Sequence, residues 1–219
     1  MSELVFLEPN KIDAEPFTTS KVVADNSGIK HESVVRILSK YQKDFEEFGI
    51  LRFEIGEIKG RGQPERVYRL NEEQTSLLVT YLKNTPVVRT LKIELVRQFY
   101  AMRAELTRRH VERAALKPIR REMTDVIQQV DNGKWAYKKY TDLAYKTAIG
   151  KTAKAIREER GADKRDVAAD YMTADEIRSV TDAQYKIAVL LDLSMDYAAV
   201  KNILNNHALM VAGHHAEPA

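Results

Sequence analysis

Residues Thr19–Tyr41, TSKVVADNSGIKHESVVRILSKY, leave few folds open to this chain. Thr19 suits an N-cap, because its hydroxyl can accept a hydrogen bond from an unpaired N–H of the first helical turn. Ser20–Asp25 then supplies about two turns, with Val23 and Ala24 facing inward. The chain must reverse within Asn26–Ile29, and Gly28 reaches positive φ there at least cost. A second helix starts at Lys30 or His31 and runs to about Tyr41. Val34, Ile37, Leu38 and Tyr41 recur on it at the i, i+3, i+4, i+7 spacing of a helix packed on one side. Its other face carries Glu32, Ser33, Arg36 and Lys40, with His31 at the N-terminal end. Two amphipathic helices joined at a glycine occur in many small helical domains that bind no nucleic acid. A rigid, polar-faced second helix is also what enters a DNA major groove.

The next segment changes period. Leu51, Phe53 and Ile55 alternate with Arg52, Glu54 and Gly56, and Val67 to Leu70 alternate likewise, which predicts two strands. They flank Lys59-Gly60-Arg61-Gly62-Gln63-Pro64, a turn-rich, positively charged tip. A helix-turn-helix followed by such a hairpin is a winged helix, and Lys59, Arg61 and Arg66 become candidate phosphate contacts on the wing. Upstream, Leu4–Leu7 is a further strand candidate.

Asn71-Glu72-Glu73-Gln74 reads as a capping box that opens a helix to about Lys83. Thr85-Pro86 starts another, with Pro at the tolerated first position. Val88, Leu91, Leu95, Phe99, Met102 and Leu106 then recur at threes and fours, with no breaker before Pro118, a helix of roughly thirty residues. Its first half is expected to pack on the N-terminal core, and Arg103–Lys117 to act as a connector or dimer seam. Pro118 is expected to open a short helix ended by Asp131-Asn132-Gly133. The remainder reads as helices: Trp135–Ala148, Lys151–Arg160, one opened by the box Thr173-Ala174-Asp175-Glu176, and a last one capped by Ser194. Trp135, Tyr137, Tyr140 and Tyr145 are interleaved with lysines and are expected to form a helical core, though stacking on unpaired bases is conceivable.

The fold class predicted is therefore mainly α with a small β-hairpin (α+β). It comprises an N-terminal winged helix-turn-helix with its long basic helix (residues 1–117), a linker helix and turn (118–133), a helical C-terminal domain (134–212) and a flexible tail (213–219).

Charge is uneven. Residues 86–121 hold 10 Lys/Arg against 3 Asp/Glu, whereas the whole chain nets only +3. That band could neutralise phosphates, although a solvated face is the commoner meaning of a charge run. Without cysteine the chain offers neither disulfides nor zinc–thiolate sites. No run is long and apolar enough for a membrane span, and the first residues lack a signal-peptide pattern, so a cytoplasmic protein is expected.

No chemistry suggests itself. Glu57-Ile58-Lys59 mimics a nuclease tripeptide but approaches a hairpin tip, and the five histidines show no metal-ligand spacing. Neither a phosphate-binding Gly loop nor a Ser nucleophile elbow is present. The expectation is a binder rather than an enzyme, with no cofactor and no metal.

At residues 19–37 the sequence resembles the Rha family of phage regulatory proteins. The family pattern falls on Thr19-Ser20, Val23-Ala24, Gly28, His31, Val34 and Ile37. It continues through the charged tip at Arg61–Arg66 and the Tyr68–Leu70 strand, and on to about Met102. Ser33 stands where Asn is usual, and Val35 where Leu is usual. The segment Tyr140–Leu204, with YTDLAYKTAIGK and DYMTADE, is similar to helical tails of phage DNA-binding and antirepressor-like proteins.

The resemblance implies a phage or prophage protein acting on gene control in the host bacterial cytoplasm. Double-stranded DNA is the first expected partner. Lys30, His31, Glu32, Ser33 and Arg36 would approach base edges, and Lys40, Lys43, Lys59, Arg61 and Arg66 would hold phosphates. The alternative is an antirepressor that captures a phage repressor protein through the C-terminal helices. A homodimer or higher homo-oligomer is expected in either case.

Overall fold

The computed structural model describes residues 3–8, 10–55, 65–131 and 133–214. The chain divides into two compact units, one built from residues 1–8 and 14–104, the other from 9–13 and 105–219. The fold is mainly helical with one small antiparallel sheet.

In the first unit, β1 (Thr18–Thr19) leads directly into α1 (Ser20–Ser27). The Thr19 hydroxyl accepts from the Val22 N–H at 3.1 Å, capping α1 as its sequence requires. Gly28 closes the helix at φ 70°, a left-handed conformation that a Cβ would strain. Helix α2 (His31–Lys40) follows, then the short α3 (Gln42–Glu46). What holds α3 is Phe45, which has no exposed surface.

Strands β2 (Arg52–Ile55) and β3 (Arg66–Leu70) form the hairpin, Phe53 opposite Tyr68 and Ile55 opposite Arg66. β1 pairs with the other edge of β3, giving the order β1-β3-β2. Leu4–Leu7 contributes only an isolated bridge, Phe6 with Phe17. Helix α4 (Glu72–Tyr81) opens on the complete capping box of Asn71 and Gln74. Gln74 is buried, and its amide also donates to the carbonyls of Phe45 and Gly49, pinning the bend between α3 and β2.

Helix α5 spans Pro86–Val130, with Pro118 inside it. The expected break at Pro118 does not occur. A proline there forfeits one backbone hydrogen bond, but Leu116 on one side and Met123 and Ile127 on the other are all buried and keep the helix in line. In the first unit, Val88, Leu91, Leu95 and Phe99 of α5 join Val23, Val34, Leu38, Phe45 and Leu78 in one core. The opposite side of this stretch leaves Ile93, Val96 and Tyr100 exposed.

The second unit adds α6 (Ala136–Ile149), α7 (Ala153–Glu159), a 3-10 turn (Ala168–Tyr171), α8 (Ala174–Asp192) and α9 (Tyr197–His214). α8 opens on the capping box of Thr173 and Glu176. Ser194 does not cap α9 but turns the chain at φ 62°, and Asp196 accepts from the Ala199 N–H instead. α9 continues through Gly213 and His214, expected to belong to the tail, while residues 215–219 lie outside the described residues.

The second half of α5 is neither a bare connector nor a free seam. Leu116 is buried with Tyr145, Ile156, Met172, Ile177 and Val180, and Met123 and Ile127 pack with Tyr140, Leu143, Ile187 and Leu191. The expected aromatic core is only half right: Tyr140 and Tyr145 are buried, but Trp135 and Tyr137 are exposed. Among the described residues, no helix is long and apolar enough to cross a membrane.

Candidate nucleic-acid interface

Helix α2 is held from behind. Val34 and Leu38 are fully buried beneath it, and Ala24 allows α1 to lie close. Its front is left to solvent: Glu32, Arg36 and Lys40 are exposed, Ser33 half-buried. Lys30 before the helix and Lys43 in α3 are exposed too. The Lys40 ammonium sits 4.9 Å from the Tyr41 ring centroid, a cation–π contact that leaves its charge outward. Among the described residues, none of Lys30, Arg36, Lys40 and Lys43 has a carboxylate partner. Among the described residues, no side chain caps the N-terminus of α2.

His31 departs from this surface. It is 8% exposed, and both ring nitrogens are engaged inside the protein. Nε2 lies 2.8 Å from the Ser20 hydroxyl, and Nδ1 lies 2.5 Å from Glu65 Oε1. The same Ser20 oxygen accepts the Tyr68 N–H at 2.9 Å. A carboxylate only accepts, so in the tautomer that donates Nδ1–H to Glu65 the other ring nitrogen, Nε2, accepts the Ser20 hydroxyl proton. His31 therefore ties α1, α2 and the start of β3 together, and its ring is turned away from the face that would meet bases. The order hydroxyl, imidazole, carboxylate is that of a hydrolytic triad, but Ser20 has no exposed surface for a substrate to reach.

Replacing His31 by alanine leaves the Ser20 hydroxyl without its acceptor and cuts the tie to Glu65. An unsatisfied buried polar group costs roughly 1–3 kcal/mol, so His31→Ala should lower the thermal midpoint of the N-terminal unit by several degrees. Differential scanning calorimetry of the full chain reads this, and an unchanged midpoint would show that the tie is energetically empty.

On the hairpin, the Arg66 guanidinium stacks 4.9 Å from the Phe53 ring centroid and is exposed. Lys59 and Arg61, together with Glu57-Ile58-Lys59, lie outside the described residues. The sheet carries two further arginines. Arg52 is exposed on β2, and its place in the alternating strand is the signal for that. Arg69 is spent inside the fold, 3.5 Å from the Phe17 ring centroid and donating to the Glu8 carbonyl.

Five of the ten cations in the basic band of α5 are paired with carboxylates within their own unit. Arg97 pairs with Glu94, and Arg103 with Glu72. Arg108 pairs with Asp175 and Glu105, Arg109 with Glu105, and Arg113 with Asp170. Arg109 is almost fully buried and also donates to Asn10. That half of the charge run holds helices, whereas Arg89, Lys117, Arg120 and Arg121 are exposed and, among the described residues, have no carboxylate partner.

Residues 18–104 match the family model of the phage regulatory protein Rha, which covers β1 through the first part of α5. A comparison with curated proteins gave no match. The family supports a phage regulatory role for this chain.

Proposed function

We propose that this chain, carrying the Rha-family pattern in its N-terminal unit, is a phage regulatory protein that binds double-stranded DNA and controls transcription. The N-terminal unit acts as a winged helix-turn-helix: α2 enters the major groove and the β2–β3 hairpin lies along the backbone. The observation that carries this reading is the unpaired cationic front of α2. Arg36, Lys40 and the flanking Lys30 and Lys43 are exposed and, among the described residues, have no carboxylate partner, on a helix locked from behind by Val34 and Leu38. Its uncapped N-terminal N–H groups add a favourable place for a backbone phosphate. Arg36 is the residue placed to meet a base edge, and Arg66 and Arg52 to meet phosphates.

If Arg36 makes a bidentate base contact, Arg36→Ala should weaken binding to the cognate site by about 1–3 kcal/mol, roughly 5- to 150-fold. Gel retardation with a selected duplex measures this. Equal retardation by parent and variant would remove Arg36 from the reading face.

The protein acts as a homodimer in this proposal. Ile93, Val96 and Tyr100 recur at threes and fours on the outward side of α5 and remain exposed, a stripe that a second copy can cover. Sedimentation should give twice the 25.1 kDa chain mass, and Val96→Asp should return it to one. A parent protein that sediments as a single chain at micromolar concentration would end this part of the proposal.

A further inference from the structure

The C-terminal unit contains an open groove of about 660 Å³ between α6 and α9, within the ~300–1,000 Å³ range of ligand clefts. Its composition is unusual for a mere surface dent. Four lysines line it, Lys138, Lys139, Lys146 and Lys201, against a single acid, Asp142. Two of them are committed: Lys138 pairs with Asp142 at 3.3 Å, and Lys139 pairs with Asp131 at 2.5 Å while lying against the Tyr140 and Tyr197 rings. Lys146 and Lys201 are exposed and, among the described residues, have no carboxylate partner.

Trp135 forms part of the same wall and is 65% exposed, a large apolar face that the unit does not bury for itself. Tyr197 lines the groove too, its ring edge-on to Tyr140 at 5.4 Å and so fixed in place.

The geometry points to a second binding site here, for a nucleotide, free or as part of a single strand. The base stacks on Trp135, and the phosphate is held by Lys146 and Lys201. An aromatic platform beside unpaired cations is the combination that single-stranded nucleic acids use, because each base offers a π-face and each linkage a charge. A duplex would not fit this role, since its base faces are hidden in the stack. An acidic peptide would satisfy the lysines but leave the indole face without a planar partner. The site is independent of the proposed duplex-reading face in the N-terminal unit.

Trp135 is the chain's only tryptophan, so its fluorescence reports on this groove alone. The test titrates the full-length protein with an oligothymidylate of about twelve nucleotides, with thymidine monophosphate, and with polyglutamate, at low salt. Saturable quenching by the oligonucleotide or the mononucleotide is expected, with polyglutamate inert. Lys146→Glu combined with Lys201→Glu should move the midpoint at least tenfold. Both positions are exposed, so the fold is retained, which circular dichroism verifies. Quenching by the oligomer at far lower concentration than by the mononucleotide identifies a strand as the ligand; comparable midpoints identify a free nucleotide. Arg36→Ala should leave the midpoint where it is. The proposal is overturned by absence of quenching, by equal quenching with polyglutamate, by a double variant that behaves as the parent, or by an Arg36→Ala variant that abolishes the signal.

Discussion

Phe45→Ala should destabilise the N-terminal unit by about 3–5 kcal/mol, the usual cost of emptying a fully buried aromatic site. Phe45 is 0% exposed, and its ring lies 5.9 Å from that of Tyr81. Tyr81 in turn stacks on Tyr41 at 4.6 Å and donates to Asp44 at 2.9 Å. The residue thus sits beneath the place where α2 passes into α3, and α3 is only five residues long. A helix that short has no stability of its own, so its position depends on this buried ring together with the hydrogen bonds from Tyr81 to Asp44 and from Gln74 to the Phe45 carbonyl. Losing the ring frees Lys43 and the C-terminal end of α2, including Lys40, from their fixed spacing. Duplex binding should therefore fall together with stability. Thermal unfolding of the variant should show the N-terminal transition lowered by well over ten degrees. A shift of only a degree or two would mean the site collapses around the gap, and that α3 is held by something else.

Arg160→Ala is the counterpart for the C-terminal unit, with an expected loss of about 2–4 kcal/mol. Its guanidinium makes a two-pronged pair with Glu176, 2.8 Å and 2.6 Å, and one nitrogen also donates to the Tyr171 carbonyl at 2.5 Å. Glu176 is at the same time the third residue of α8 and accepts from the Thr173 N–H at 2.8 Å, completing the capping box. Removing Arg160 leaves a partly buried carboxylate facing less compensation. The side chains retain some exposure, which keeps the figure below that of a fully buried pair.

The pH dependence has a definite sign. Burial alone would raise the Glu176 carboxyl, but hydrogen bonds from Arg160 and from the Thr173 N–H outweigh it and hold it below the ordinary value of 4.5. A depressed carboxylate contributes stability that is present above the unfolded value and is lost as pH falls through the folded one. The parent C-terminal unit should lose stability on acidification below about pH 4.5, and Arg160→Ala should flatten that part of the profile. Chemical denaturation at a series of pH values checks both. An acid limb of equal steepness in the variant would place the titrating group elsewhere.

Local signals in this chain were legible where the chemistry is local. The Thr19 cap, the left-handed Gly28 and the boxes at Asn71 and Thr173 each depend on residues no more than a turn apart, and each forms as written. His31 shows the limit. Its spacing to Val34 and Leu38 already put it on the buried stripe, three and seven residues along. What was not visible is Glu65, 34 residues away, which gives that ring its second partner and makes burial tolerable.

The same reason explains the other departures. Proline rules predict a break at Pro118, but the flanking side chains find distant partners in α6, α7 and α8 that outweigh one lost hydrogen bond. β1 is two residues long, too short to show a period, and exists because β3 offers it an edge. Trp135 and Tyr140 look alike in sequence, yet only Tyr140 is covered, because coverage depends on where α9 falls.

The candidate face was readable in Lys30, Glu32, Ser33, Arg36, Lys40, Lys43 and Arg66, the residues whose outward placement follows from helical and strand period. The basic run of α5 divides for the converse reason, five of its ten cations being paired with carboxylates. Charge counted along a sequence does not reveal which cations have found carboxylates.

The most direct test is lysine-acetylation footprinting of the full chain with and without a bound duplex. The account predicts that Lys30, Lys40 and Lys43 lose reactivity when duplex DNA is added, while Lys138, Lys146 and Lys201 keep theirs. Unchanged reactivity at the α2 lysines, or shielding confined to the C-terminal ones, would contradict it.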